Sequence, residues 1–106
     1  MKPDKLCGLL GLCRRSGRLT MGFDAVVALQ KSKRVLVLIA ADASPRTAKE
    51  VRFRMPTCPL HVLPLSKEEL SAVLGLQKPV ACVATDDDGF ITALLPLLGN
   101  EGGIPL

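Results

Sequence analysis

The chain is predicted to fold as a single three-layer α/β/α sandwich, and three observations carry that prediction. Its 106 residues leave room for one hydrophobic core and not for two. Along the chain, segments whose apolar residues recur at helical spacing alternate with short, uninterrupted apolar runs. The run at residues 35–41 is too uniformly hydrophobic to have a wet face, so it reads as a strand covered on both sides, which requires helices above and below it.

In residues 3–15, Leu6, Leu9, Leu10 and Cys13 recur at i, i+3, i+4 and i+7, the spacing of a helix with one buried face. Gly17 supplies its stop. An extended piece at 18–21 leads to Gly22, and residues 24–31 read as a second helix with Val26 and Val27 inward. After the strand at 35–41, Ser44 and Pro45 are an N-cap and a first-turn proline, which open a short basic helix through Arg54. Pro56 and Pro59 bracket a loop before a second apolar strand at 60–63. Ser66 and Glu69 stand at capping-box spacing ahead of a helix that carries Leu70, Val73 and Leu74 and stops at Gly75. A third apolar strand is expected at 80–85, and Asp86 is placed to cap a last helix bearing Phe90, Ile91, Leu94 and Leu95. Pro96 is expected to limit that helix. The domain is thus expected over 1–98, with a flexible tail at 99–106 and no repeat or linker.

Composition narrows the partners. Nearly half of the residues are apolar, but there is no Trp, no Tyr and three Phe, so the core is aliphatic. A platform of several exposed aromatics for single-stranded bases is not expected. The net charge of +4 is unevenly spread. Residues 1–54 hold twelve Lys and Arg against four Asp and Glu, whereas residues 55–106 hold two against six. A basic half suits a polyanion, although a simple surface dipole gives the same count.

Cys7, Cys13, Cys58 and Cys82 form no close C-x-x-C pair and read as reduced structural thiols, with Cys82 in the core. Gly8, Gly11 and Arg14 interrupt any signal-type apolar segment near the N-terminus. No run approaches the ~20 apolar residues of a membrane span. The expected location is cytoplasmic, without membrane association.

No strong catalytic constellation is present. Asp86, Asp87 and Asp88 lie where carboxylates cap a helix, and no partner carboxylate follows at calcium-loop spacing. His61 alternates with Leu60 and Val62 in a short strand and reads as structural or exposed. Ser44 lacks the glycine surround of a nucleophile elbow and reads as a cap. The expectation is a non-enzymatic chain with no cofactor, no metal and no catalytic residue. Gly22 differs from the other glycines, because it follows an extended piece, opens a helix and has Arg15 and Arg18 just upstream. Amides at such a turn can meet a phosphate, and a plain turn glycine explains the same residues.

Four stretches in order resemble the kink-turn-binding ribosomal proteins, the family of large-subunit proteins seven-Ae and thirty-e. They are Leu9-x-x-Leu12-Cys13-Arg14-Arg15-x-Gly17-x-Leu19-x-x-Gly22, Val37-Leu38-Ile39-Ala40-x-Asp42-Ala43-Ser44-Pro45, Leu65-Ser66-Lys67-Glu68-Glu69-Leu70 with Leu74-Gly75, and Val83-Ala84-Thr85-Asp86 with Gly89-Phe90. Each motif is weak alone; their order across residues 6–95 carries the resemblance, which extends to the family's short bacterial members of YlxQ type. It implies the thirty-e-like fold, a sandwich around a mixed four-stranded sheet, and binding of structured RNA such as ribosomal RNA or a kink-turn within a ribonucleoprotein. It also implies two RNA surfaces: the turn into the second helix, here Gly22, Phe23, Asp24, Ala25 and Ala28, and the loop after the fourth helix, here 75–80 with Lys78 and Pro79 at its tip. Arg14, Arg15, Arg18, Arg46 and Lys78 are the expected phosphate contacts.

The pattern departs from the family at the first surface. Strong kink-turn binders read G-x-N-E-x-x-K there, and this chain has Asp24, Ala25 and Ala28 in place of Asn, Glu and Lys. Ionised Asp24 only accepts hydrogen bonds and repels phosphate, whereas Asn both donates and accepts. Three readings follow: an RNA-binding protein, a protein-interaction module on the same fold, or a fragment related to the substrate domain of RNA ribose methyltransferases. The sequence favours the first. It leaves the particular RNA, sequence specificity and oligomeric state open.

Overall fold

A computed structural model describes residues 4–102, with side chains through Leu98. The helices are α1 (Asp4–Arg15), α2 (Phe23–Ala28), α3 (Pro45–Arg54), α4 (Lys67–Leu74) and α5 (Asp88–Gly102), and a 3-10 turn at Leu29–Lys31 extends α2. The strands are β1 (Thr20–Met21), β2 (Leu36–Ile39), β3 (Leu60–Val62) and β4 (Cys82–Thr85). They form one sheet in the order β1-β4-β2-β3. β4 runs antiparallel to both β1 and β2, while β2 and β3 are parallel, so the sheet is mixed.

Both central strands are buried along their whole length, as their uninterrupted apolar sequence requires. Their side chains alternate between two cores. Leu36, Leu38 and Val83 join Leu6, Leu10 and Cys13 of α1, Leu70 and Leu74 of α4, and Ile91 and Leu94 of α5. Val37, Ile39 and Ala84 face the other way onto Val26 of α2 and Val51 of α3. The three-layer α/β/α arrangement is therefore present, with α1, α4 and α5 on one face and α2 and α3 on the other.

Several local expectations hold with shifted bounds. The strands at 35–41, 60–63 and 80–85 shorten at one or both ends because sheet pairing stops where chains diverge into loops. Ser44 Oγ accepts from Thr47 N, and Pro45 begins α3. Ser66 and Glu69 form the full capping box, and Gly75 ends α4 in the left-handed conformation at φ 73°. Val26 is fully buried in α2, and Val27 is half-buried.

Three details differ from the sequence expectation. Asp87, not Asp86, caps α5: its Oδ1 accepts from Phe90 N at 3.0 Å, while Asp86 Oδ2 accepts from Ser32 Oγ at 2.8 Å. Three consecutive aspartates gave no sequence signal for which one would precede the first helical turn. Pro96 does not stop α5, which continues to Gly102. Pro96 and Thr92, whose carbonyl would have accepted from the missing N–H, are both exposed, so the lost bond falls on the outer side of the helix rather than in the core. The helix expected from residue 3 begins at Asp4, and Pro3 lies outside the described residues. The tail expected at 99–106 also lies outside them, apart from the last turn of the α5 backbone.

Candidate nucleic-acid interface

Strand register decides which loops share an end of the sheet. Gly22 N, at the exit of β1, donates to Cys82 O at the start of β4, and Ala40 N, at the exit of β2, donates to Ala81 O just before it. Ala41 N reaches Leu65 O beyond β3. The turn into α2, the loop into α3 and the loop from α4 into β4 therefore meet at one end of the sheet.

Gly22 sits at φ 94° and ψ 145°, a conformation that L side chains rarely adopt. It precedes α2 with no side-chain cap, and its carbonyl accepts from Val26 N at 2.9 Å. Asp24 and Ala25 are exposed on the first turn, Ala28 is exposed on the last, and Phe23 is half-buried against the α2–α3 layer.

The loop from α4 into β4 is held from within. Ser71, buried on α4, donates from Oγ to the Lys78 carbonyl at 2.8 Å, and Leu76 N donates to Ser71 O at 2.9 Å. These bonds fix the loop backbone while the side chains of Lys78 and Pro79 stand exposed at its tip. Arg46 lies exposed in the first turn of α3. Asp42 at this end is engaged, since its Oδ1 accepts from Lys67 N at 2.7 Å.

The register thus brings together Gly22, Phe23, Asp24, Arg46, Lys78 and Pro79. It places Arg14, Arg15 and Arg18 elsewhere, at the end of the sheet where α1 leads into β1 and β4 leads into α5. Arg18 Nε lies 3.7 Å from Asp87 Oδ2, and Arg34 pairs with Asp88 at 3.4 Å. Both pairs are too exposed to stabilise the fold by much. They nevertheless set acidic groups beside the basic ones. Arg15 folds back along α1, with a guanidinium nitrogen 3.3 Å from where a Cβ on Gly11 would stand. Arg46 and Lys78 make no ion pair among the described residues.

Sequence reasoning missed two residues of interest. Ser71 occupies an inward position of α4 beside Leu70 and Leu74, and a hydroxyl on a buried face was the available signal for a loop anchor. Phe53 is exposed on α3 between the inward Val51 and Met55, so its apolar ring is out of phase with the helix. Cys13 and Cys82 are buried, and Cys7 and Cys58 are half-buried. Burial pushes the Cys82 thiol up to about 11 and also raises Cys13. His61 is half-buried on β3, with Nδ1 covered and without a hydrogen-bond partner. Among the described residues, no group of three His, Cys, Asp or Glu side chains is placed to hold a metal ion, and no helix is long and apolar enough to cross a membrane.

The sequence profile of the ribosomal protein L7Ae/L30e/S12e/Gadd45 family matches residues 4–95, from the start of α1 into α5. The chain belongs to that family. Within it, the chain is similar to the RNA-binding protein YlxQ of Bacillus subtilis (strain 168), at 36% identity over 94 residues that span 85% of this chain and 91% of that protein. This supports a YlxQ-type member of the L7Ae family. A protein with unknown function from Bacillus halodurans C has a similar structure, with a TM-score of 0.79 at 27% identity, over 89% of this chain and 96% of that one. The Giardia lamblia 15.5kD RNA binding protein matches with a TM-score of 0.69 at 17% identity, over 91% and 83% of the two chains, and so shows the shared fold.

Proposed function

We propose that this L7Ae-family chain is a non-enzymatic, cytoplasmic protein that binds structured RNA as part of a ribosome-associated ribonucleoprotein. The observation that supports it best is the convergence, at one end of the sheet, of the uncapped Gly22 turn, the Ser71-anchored loop at 75–80 and the exposed cations Arg46 and Lys78. A fixed loop beside a glycine turn presents backbone groups in a set arrangement, and the exposed cations beside them supply the sequence-independent attraction to phosphate. The similarity to a protein named for RNA binding supports the same reading.

A kink-turn is the RNA shape this surface fits, with the Gly22 turn in the widened groove and the loop at 75–80 over an extruded base. Asp24 weakens that grip, so phosphate contacts carry most of the affinity in this proposal. Gel-shift titrations with a kink-turn stem and with ribosomal RNA fragments, repeated across salt concentrations, test it. Binding that weakens steeply as salt rises is expected; no salt-sensitive binding to any of these RNAs overturns the proposal.

The exposed Asp24, Ala25 and Ala28 favour a second reading, a protein-docking module on the same fold. Capture of a protein partner that survives nuclease treatment, together with absent RNA binding, would select it.

A further inference from the structure

Phe53 is exposed at 77%, whereas the chain's other two phenylalanines, Phe23 and Phe90, are half-buried. It stands on α3 opposite Val51, the helix's buried contact. On that outer face it follows Lys49 by four residues and Arg46 by seven, so the three side chains form one row along the helix. Arg54 is exposed beside them, and Glu50 is the only acidic residue on α3. Arg46, Lys49 and Arg54 make no ion pair among the described residues. Two helical turns separate Phe53 from Arg46, about 10 Å along the axis. The row therefore begins at the sheet end that gathers Gly22 and Lys78 and leads away from it along the outer surface of the molecule.

We propose that the outer face of α3 is a second RNA contact, at which Phe53 stacks on one unpaired base while Arg46, Lys49 and Arg54 hold the flanking phosphates. The proposal rests on the RNA reading above and names a further part of its ligand: single-stranded RNA adjoining the structured element. The centre of a protein interface is depleted in charge and in Lys, whereas this ring has Arg46 and Lys49 along its row and Arg54 next to it, with Glu50 as the one acidic neighbour on the helix. An aromatic among cations that follow a strand is the chemistry of single-strand binding, because every base offers a π-face and every nucleotide a phosphate. A base within a duplex cannot present its face to a side chain on a helix surface; an unpaired one can.

Two RNA probes that share one kink-turn stem, one blunt and one with a short single-stranded uridine extension, test the proposal by titration. The wild-type chain is expected to bind the extended probe more tightly. Phe53→Ala should remove that gain, a loss of roughly 5- to 150-fold on the extended probe. Its affinity for the blunt probe should be unchanged. Phe53→Tyr, which keeps a stacking ring, should retain the gain, and Phe53→Leu, which keeps only apolar bulk, should not. Unchanged thermal unfolding of the Ala variant establishes that it folds, as expected for a side chain so exposed. If the wild type binds both probes equally, or if Phe53→Ala binds the extended probe like the wild type, the proposal is overturned. The same holds if the substitution abolishes capture of a protein while leaving RNA binding intact. Binding of neither probe overturns the kink-turn part of that reading and this contact with it, whereas the RNA reading as a whole falls only if ribosomal RNA fragments also go unbound.

Discussion

Asp24 stands exposed in the first turn of α2, one residue beyond the half-buried Phe23 and two beyond the Gly22 turn. Its charge is compatible with the positive end of the helix and unfavourable to a phosphate brought to the same place. Asp24→Asn removes the repulsion and restores a donor. RNA affinity should rise by about 1 kcal/mol, roughly fivefold, in a filter-binding titration. Cys82 sets a different residue-scale expectation. Its folded thiol is raised to about 11, above the ordinary 9.0, because burial disfavours the thiolate. Below about pH 9 both folded and unfolded chains keep this proton, and its contribution to stability is fully present. Between 9 and 11 the unfolded chain releases the proton first, so stability falls as pH rises, by roughly 2 to 3 kcal/mol across the window. Urea unfolding followed against pH should show that decline, and Cys82→Ala should make it shallower. Cys13 acts in the same direction.

At the scale of elements, the loop from α4 into β4 depends on one hydroxyl. Ser71 ties the Lys78 carbonyl to the buried face of α4, and the Gly75 turn at φ 73° sets the chain's departure from the helix. Ser71→Ala leaves that carbonyl without its partner, at a cost of about 1 to 2 kcal/mol. Hydrogen exchange should accelerate at residues 75–80 while the β2 and β4 amides stay protected. RNA affinity should fall as well, since the loop must then be ordered on binding. The helix starts were legible in the sequence because a cap is a local device: Ser44 with Pro45 and Ser66 with Glu69 act within four residues of one another. The α5 cap was less legible. Asp86, Asp87 and Asp88 are equivalent by type, and only the direction in which the chain leaves β4 gives the capping bond to Asp87 and turns Asp86 toward Ser32.

For the molecule as a whole, charge is divided between the two ends of the sheet. Arg18 and Arg34 face the aspartates that precede and open α5, whereas Arg46 and Lys78, exposed and without an ion pair among the described residues, lie at the Gly22 end. The double variant Arg46→Ala with Lys78→Ala should weaken RNA binding more than the triple change of Arg14, Arg15 and Arg18 to Ala, and should also flatten its salt dependence by about two phosphate contacts. The reverse ranking in gel-shift titrations would move the interface to the other end of the sheet. By itself the sequence determined the three layers, the buried central strands, the aliphatic core and the caps of α3 and α4, because periodicity and capping are short-range properties of neighbouring residues. It also contained the ordered motifs that point to the L7Ae family. Which cations lie at the same end of the sheet was decided only by the tertiary structure. Arg18 is close to Gly22 in sequence, but the length of β1 carries the chain between them from one end of the sheet to the other. Arg46 and Lys78, far apart in the chain, lie at the same end as Gly22 because antiparallel pairing of β4 with β1 and β2 returns their loops there.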